Sequence, residues 1–113
     1  MRQKMRAGSL DQRVAVQRET RVADGYGGAA VSWSTQATVW ARVEAVRGQE
    51  RVIADQDRGV VGYRITARNA GVWAGVTAAD RLVWAGVVLN VRGAPAAGRA
   101  AYRTIEAESG VNT

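Results

Sequence analysis

The chain has 113 residues, a formal net charge of +6, no cysteine and no histidine. Those absences exclude a disulfide framework, thiol chemistry, the common zinc sites and the usual general base near neutral pH. The length fits one domain. With no phenylalanine, the four tryptophans and three tyrosines must supply much of the core volume or interface area.

The basic residues are nearly all arginine, with Lys4 the sole lysine. Arginine forks pair well with phosphates and carboxylates, although an Arg-, Ala-, Gly- and Val-rich composition equally reflects a GC-rich genome. The charge is spread along the chain rather than gathered into one basic arm.

Residues 1–9 read as a mobile basic lead-in, with Arg2, Lys4 and Arg6 alternating. These three are candidates for docking on an acidic neighbour or DNA. No apolar stretch follows them, so a secretory signal is not expected. No apolar run approaches the ~20 residues of a membrane-spanning helix, and folding in a cytoplasm is expected.

A first strand is predicted from Leu10 to Glu19, with Leu10, Gln12, Val14, Val16 and Arg18 on one face. Asp24-Gly25-Tyr26-Gly27-Gly28 supplies the positive φ angles of a tight hairpin connection. Beyond it, Val31, Trp33 and Thr35 alternate with Ser32 and Ser34, as on a half-buried strand. Val39, Ala41, Val43 and Ala45 then alternate with Thr38, Trp40, Arg42 and Glu44, which is either a second strand or the same one continued past a bulge.

Residues 47–62, RGQERVIADQDRGVVG, are the least regular stretch. An irregular excursion of this length inside a small domain is usually functional or mobile. It is predicted to project as an extended arm. Tyr63 to Arg68 is a strand with Tyr63, Ile65 and Ala67 inward. A glycine-rich connection, Asn69 to Ala79, carries Trp73, which looks exposed and is, like Tyr26, a candidate partner contact; packing into the core or against the loop is the alternative reading of this tryptophan.

A hairpin around Ala85-Gly86 follows, with Leu82, Trp84, Val87, Leu89 and Val91 as candidate core. Gly93 to Ala100 is a loop, Ala101 to Glu108 a closing strand, and residues 109–113 a frayed end. Six or seven short strands predict an all-β fold, a small antiparallel barrel or sandwich.

No catalytic constellation emerges, so an enzyme is not expected. Asp55 and Asp57 lack a third ligand, and the glycines at 25, 27 and 28 lack the helix and Gly-Lys-Ser/Thr of a phosphate loop. No cofactor or metal is expected. Arg42, Arg64 and Arg68 interleave with Trp40 and Tyr63, either as a salt-bridged polar face or as a surface for single-stranded nucleic acid.

Motif order over the chain resembles the head-tail joining proteins of tailed bacteriophages, the head-closure or stopper ring also found in prophages and gene transfer particles. The residues concerned are Ala7-Gly8, Asp24-Gly25-Tyr26-Gly27-Gly28, Trp33, Val39-Trp40-Ala41-Arg42-Val43-Glu44, Gly48-Gln49-Glu50 and Tyr63-Arg64-Ile65-Thr66-Ala67-Arg68. Gly75-Val76, Asp80-Arg81-Leu82 and Gly86 continue the order. The departures are Tyr63, where the family often has His, the lack of an aromatic near Leu89, and a slightly longer turn at residues 71–75.

The resemblance implies a small β-barrel, six or seven strands with a long projecting loop. It also implies a twelvefold homo-oligomeric ring beneath portal and adaptor, docking a tail or tail-terminator protein and passing double-stranded DNA. The arm would then line or gate the DNA channel through Arg47, Gln49, Glu50, Arg51, Asp55, Asp57 and Arg58. The protein would sit in the neck of a virion or phage-like particle, assembled in the bacterial cytoplasm and not on a membrane. Two other readings stand beside it: a stand-alone barrel binding single-stranded nucleic acid, and a neighbouring tail-completion protein of the neck.

Overall fold

Alternation of apolar and polar residues sets the inward side of each strand in a computed structural model of the chain, which describes residues 9–23, 25–46 and 61–109. The elements are β1 (Gln12–Ala23), β2 (Ala29–Ala45), β3 (Val61–Arg68), a single helical turn α1 (Gly71–Ala74), β4 (Arg81–Trp84), β5 (Val87–Gly93) and β6 (Tyr102–Ser109). All pairings are antiparallel, and the strands close in the order β1-β2-β3-β6-β5-β4, with β4 returning to β1. The all-β barrel expected from the sequence is the observed fold.

Inside lie Val14 and Val16 of β1, Ile65 of β3, Leu82 of β4, Leu89 of β5 and Ile105 of β6, all fully buried. Each such side chain contributes about 1.5–3 kcal/mol relative to an exposed one. The β4–β5 turn forms as expected: Ala85 and Gly86 both take positive φ, 53° and 79°, the twist that suits a two-residue hairpin.

The long β2 settles the choice left open by its pattern. It is one 17-residue strand. Its register with β1 steps from Val16↔Ala37 to Gln17↔Thr35, leaving Gln36 as an extra residue. This bulge reverses which side the later side chains take. Beyond it β1 finds no partner in β4, whose pairing with β1 ends at Gln17. The two strands continue alone as a ribbon to the turn, where Gly25 and Gly27 have φ of 84° and 87°.

Four expectations are corrected. Val31, Trp33 and Thr35 do not form a core face, because among the described residues no third strand pairs with the ribbon beyond Gln17. Val31 and Thr35 are exposed, and Trp33 is half-buried under Arg81 rather than in the barrel. Trp73 is not exposed but fully buried, since its helical turn folds back over the end of the barrel with Val76. Val87 is exposed at the hairpin end, where the barrel interior has already opened. Finally, Val61 and Gly62 begin β3 rather than ending the arm, and Ser109 closes β6, because Val61 pairs with Ser109 and Gly62 with Glu108 across the two strands.

Barrel and ribbon should therefore respond differently to mutation. Leu82→Ala should cost about 2–5 kcal/mol of stability, whereas Val31→Thr should change it by less than about 0.5 kcal/mol. Urea unfolding followed by tryptophan fluorescence measures both, and equal losses would contradict this division.

Candidate functional site

Inward-facing Arg103, on β6, is 5% exposed. Its Nε donates to the Pro95 carbonyl at 3.0 Å, one Nη to Trp73 O at 2.7 Å and the other to Ala94 O at 2.7 Å. In return, the Trp73 indole Nε1 donates to the Arg103 carbonyl at 3.0 Å. One side chain thus ties α1 and the loop after β5 to the closing strand. Asn69 extends the seal by donating to the carbonyls of Gly98 and Ala100.

The root of the ribbon is fixed on both sides. Buried Asp80 accepts from Arg18 Nε at 3.1 Å, from Arg18 Nη2 at 3.2 Å and from the Thr77 backbone N–H at 3.0 Å. Hydrogen bonding and charge from Asp80 hold the Arg18 guanidinium above its ordinary pKa. On the other face, Arg81 donates from Nε to Gln17 Oε1 at 2.8 Å and stacks 4.4 Å from the Trp33 ring centre. Tyr26, at the far tip, is 93% exposed.

The barrel's outer face over β1, β2, β3 and β6 is ordered in rows. Arg13 is paired with Trp40, its guanidinium 4.8 Å from the ring centre. Arg68 is paired with Tyr102, at 5.9 Å. Because Ala41 pairs with Ala67, Trp40 and Arg68 are next to each other across the β2–β3 seam. The row reads Arg13, Trp40, Arg68, Tyr102 over four strands, each about 4.8 Å from the next.

Two residues further along the strands, Arg42 faces Thr66 and Thr104, whose hydroxyls are 2.9 Å apart. The third row is Glu44, Arg64 and Glu106. Arg42 crosses between rows to an ion pair with Glu44 at 3.0 Å.

Sequence reasoning found part of this face. Trp40, Arg42, Arg64 and Arg68 are together on it, but Tyr63 is not: it turns inward and meets Trp84 edge-to-face, with ring centres 5.3 Å apart. Arg13 and Tyr102 were missed, since only strand pairing sets them beside Trp40 and Arg68. Of the expected partner contacts, Tyr26 is at the surface and Trp73 is inside. Arg2, Lys4 and Arg6, like the arm residues Arg47, Gln49, Glu50, Arg51, Asp55, Asp57 and Arg58, lie outside the described residues. Among the described residues no group of three or more acidic side chains could hold a metal ion, and no helix is long and apolar enough to cross a membrane.

Closed barrel, anchored ribbon and patterned outer face define a small antiparallel β-barrel with an ordered outer surface. More particularly, the chain belongs to the phage head completion proteins, whose family model matches residues 5–110. That family is a structural one. A solved structure of similar fold is the solution structure of protein SF1141 from Shigella flexneri 2a, 26% identical, covering 96% of this chain and 100% of that one at a TM-score of 0.69. Another is a chain from the virion of a native gene transfer agent particle, 24% identical, covering 87% of this chain and 92% of that one at a TM-score of 0.61. At that identity the second likeness is one of fold. Among curated proteins none matches the chain significantly.

The Arg103 fork can be tested by Arg103→Lys, which keeps the charge but cannot reach three carbonyls in one plane. Loss of hydrogen bonds to a charged group should destabilise the barrel by about 1.5–3 kcal/mol each. Thermal unfolding measures this; an unchanged midpoint would contradict the clamp.

Proposed function

We propose that this chain is a stopper, or head-closure, protein of a phage-like particle. It assembles as a ring beneath portal and adaptor, retains packaged DNA and offers the tail a docking surface. The observation carrying this reading is membership of the head completion family over residues 5–110. The fold shared with a chain of a gene transfer agent virion supports the same setting.

In this mechanism the barrel is a rigid unit and the ring is formed through its faces and ribbon. Residues 47–60 supply the channel arm. Arg47, Arg51 and Arg58 give weak, sequence-blind phosphate contacts, while Glu50, Asp55 and Asp57 keep DNA from sticking, and Gln49 adds a neutral polar contact. A chain whose stability comes partly from its neighbours gains from ring assembly by mass action. The single-stranded nucleic-acid reading is weakened by Tyr63, which packs against Trp84 instead of joining Trp40 outside.

Deletion of the coding sequence from the particle-producing strain tests the proposal. Heads should package DNA yet lose it, so that the particle fraction becomes nuclease-sensitive, and free tails should accumulate. Tailed, nuclease-resistant particles at the parental yield would refute it.

A further inference from the structure

We infer that the row Arg13, Trp40, Arg68 and Tyr102 is a docking site for an acidic segment of another protein chain of the particle. This rests on the neck reading above and names one of its surfaces. Tryptophan, tyrosine and arginine dominate the energetics of protein interfaces. Here they are adjacent on one barrel face, with Trp40 still 55% exposed. Stacking on an aromatic ring leaves the edge of a guanidinium, with its fork of N–H donors, directed to a carboxylate. Among the described residues neither Arg13 nor Arg68 is in an ion pair; their neighbours are the two rings.

The row's own chemistry selects the occupant. Two guanidiniums on strands two apart, about 10 Å from each other, ask for negative charge. An indole between them asks for apolar cover. A DNA duplex presents charge along its backbone but no apolar cover there. A single strand brings both, but Arg13 already occupies ring surface of Trp40. A longer polyanion would also meet Glu44 and Glu106 four residues along the strands, roughly 13 Å away. An acidic protein segment with an apolar side chain meets both demands in the small area offered.

A second copy of this chain fits poorly. The net charge of +6 opposes it. Of its six described carboxylates, four (Glu19, Glu44, Asp80 and Glu108) are already paired with arginines, and the other two, Asp11 and Glu106, are few against the arginines of the face. The occupant is therefore a different, acidic chain, and the Glu44–Arg64–Glu106 row forms the charged rim that fixes its register.

The test uses a particle-producing strain whose own copy is deleted, supplied with tagged full-length chain as wild type, Trp40→Thr, Trp40→Tyr, Arg68→Glu or Arg68→Gln. An off-face control is Arg99→Glu. Quantitative blotting of purified particles gives incorporation, and thermal unfolding of each purified chain confirms the barrel. Trp40→Thr and both Arg68 variants should lower incorporation at least tenfold at an unchanged unfolding midpoint, while Trp40→Tyr and Arg99→Glu should incorporate like wild type.

Wild-type incorporation of the folded Trp40→Thr and Arg68 variants would overturn the docking site and leave the neck reading standing. Absence of wild type itself from particles would overturn both. A fluorescence titration with a 20-nucleotide oligo-dT gives the remaining arm. Micromolar binding at physiological salt, lost in Arg68→Gln, would overturn the protein occupant in favour of nucleic acid.

Discussion

One buried guanidinium holds the end of this barrel together. Removing a cation from water costs several kcal/mol unless its donors are satisfied. Arg103 meets that cost with three backbone carbonyls and, among the described residues, no carboxylate. Those carbonyls belong to α1 and to the loop after β5, segments with little regular structure of their own. Their placement depends on a side chain that must itself be buried, so the seal and the closing strand form together. Trp73 is drawn inside by the same exchange, since its indole N–H needs the acceptor that the Arg103 backbone provides.

A rigid barrel makes the ribbon intelligible. A two-stranded hairpin alone is marginal in water, and beyond Gln17 this one has no third strand among the described residues. Its root is held instead by polar contacts on both faces, Arg18 to Asp80 and Arg81 to Gln17 and Trp33. Its tip offers Tyr26 to the surroundings. A firm base with an exposed, weakly supported extension suits a protein whose task is to meet neighbours. The outer face follows the same logic, with aromatic and cationic residues in one row and a charged rim beyond.

Strand pattern and turn chemistry were legible in the sequence because period-two alternation and positive-φ glycines are local signals. They led to the barrel, the β4–β5 hairpin and the β1–β2 turn, and motif order led to the family. Facts set by pairing were not legible. The bulge at Gln36 reverses the sides of Val31 and Trp33; the break in alternation left a bulge or a new strand open, and only the pairing with β1 decides between them. Trp73 stands among glycines and looked exposed; its burial depends on Arg103, thirty residues away. Arg13 acquires meaning only through its register with Trp40. Long-range contact, rather than local propensity, carried what the pattern missed.

The central claim is that this barrel sits where the head meets the tail. Electron microscopy of extracellular particles carrying a gold-labelled, tagged copy tests it most directly. The account predicts label at the head–tail junction. Intact particles with an accessible tag but label on the capsid wall or tail tip, or no label at all, would contradict it.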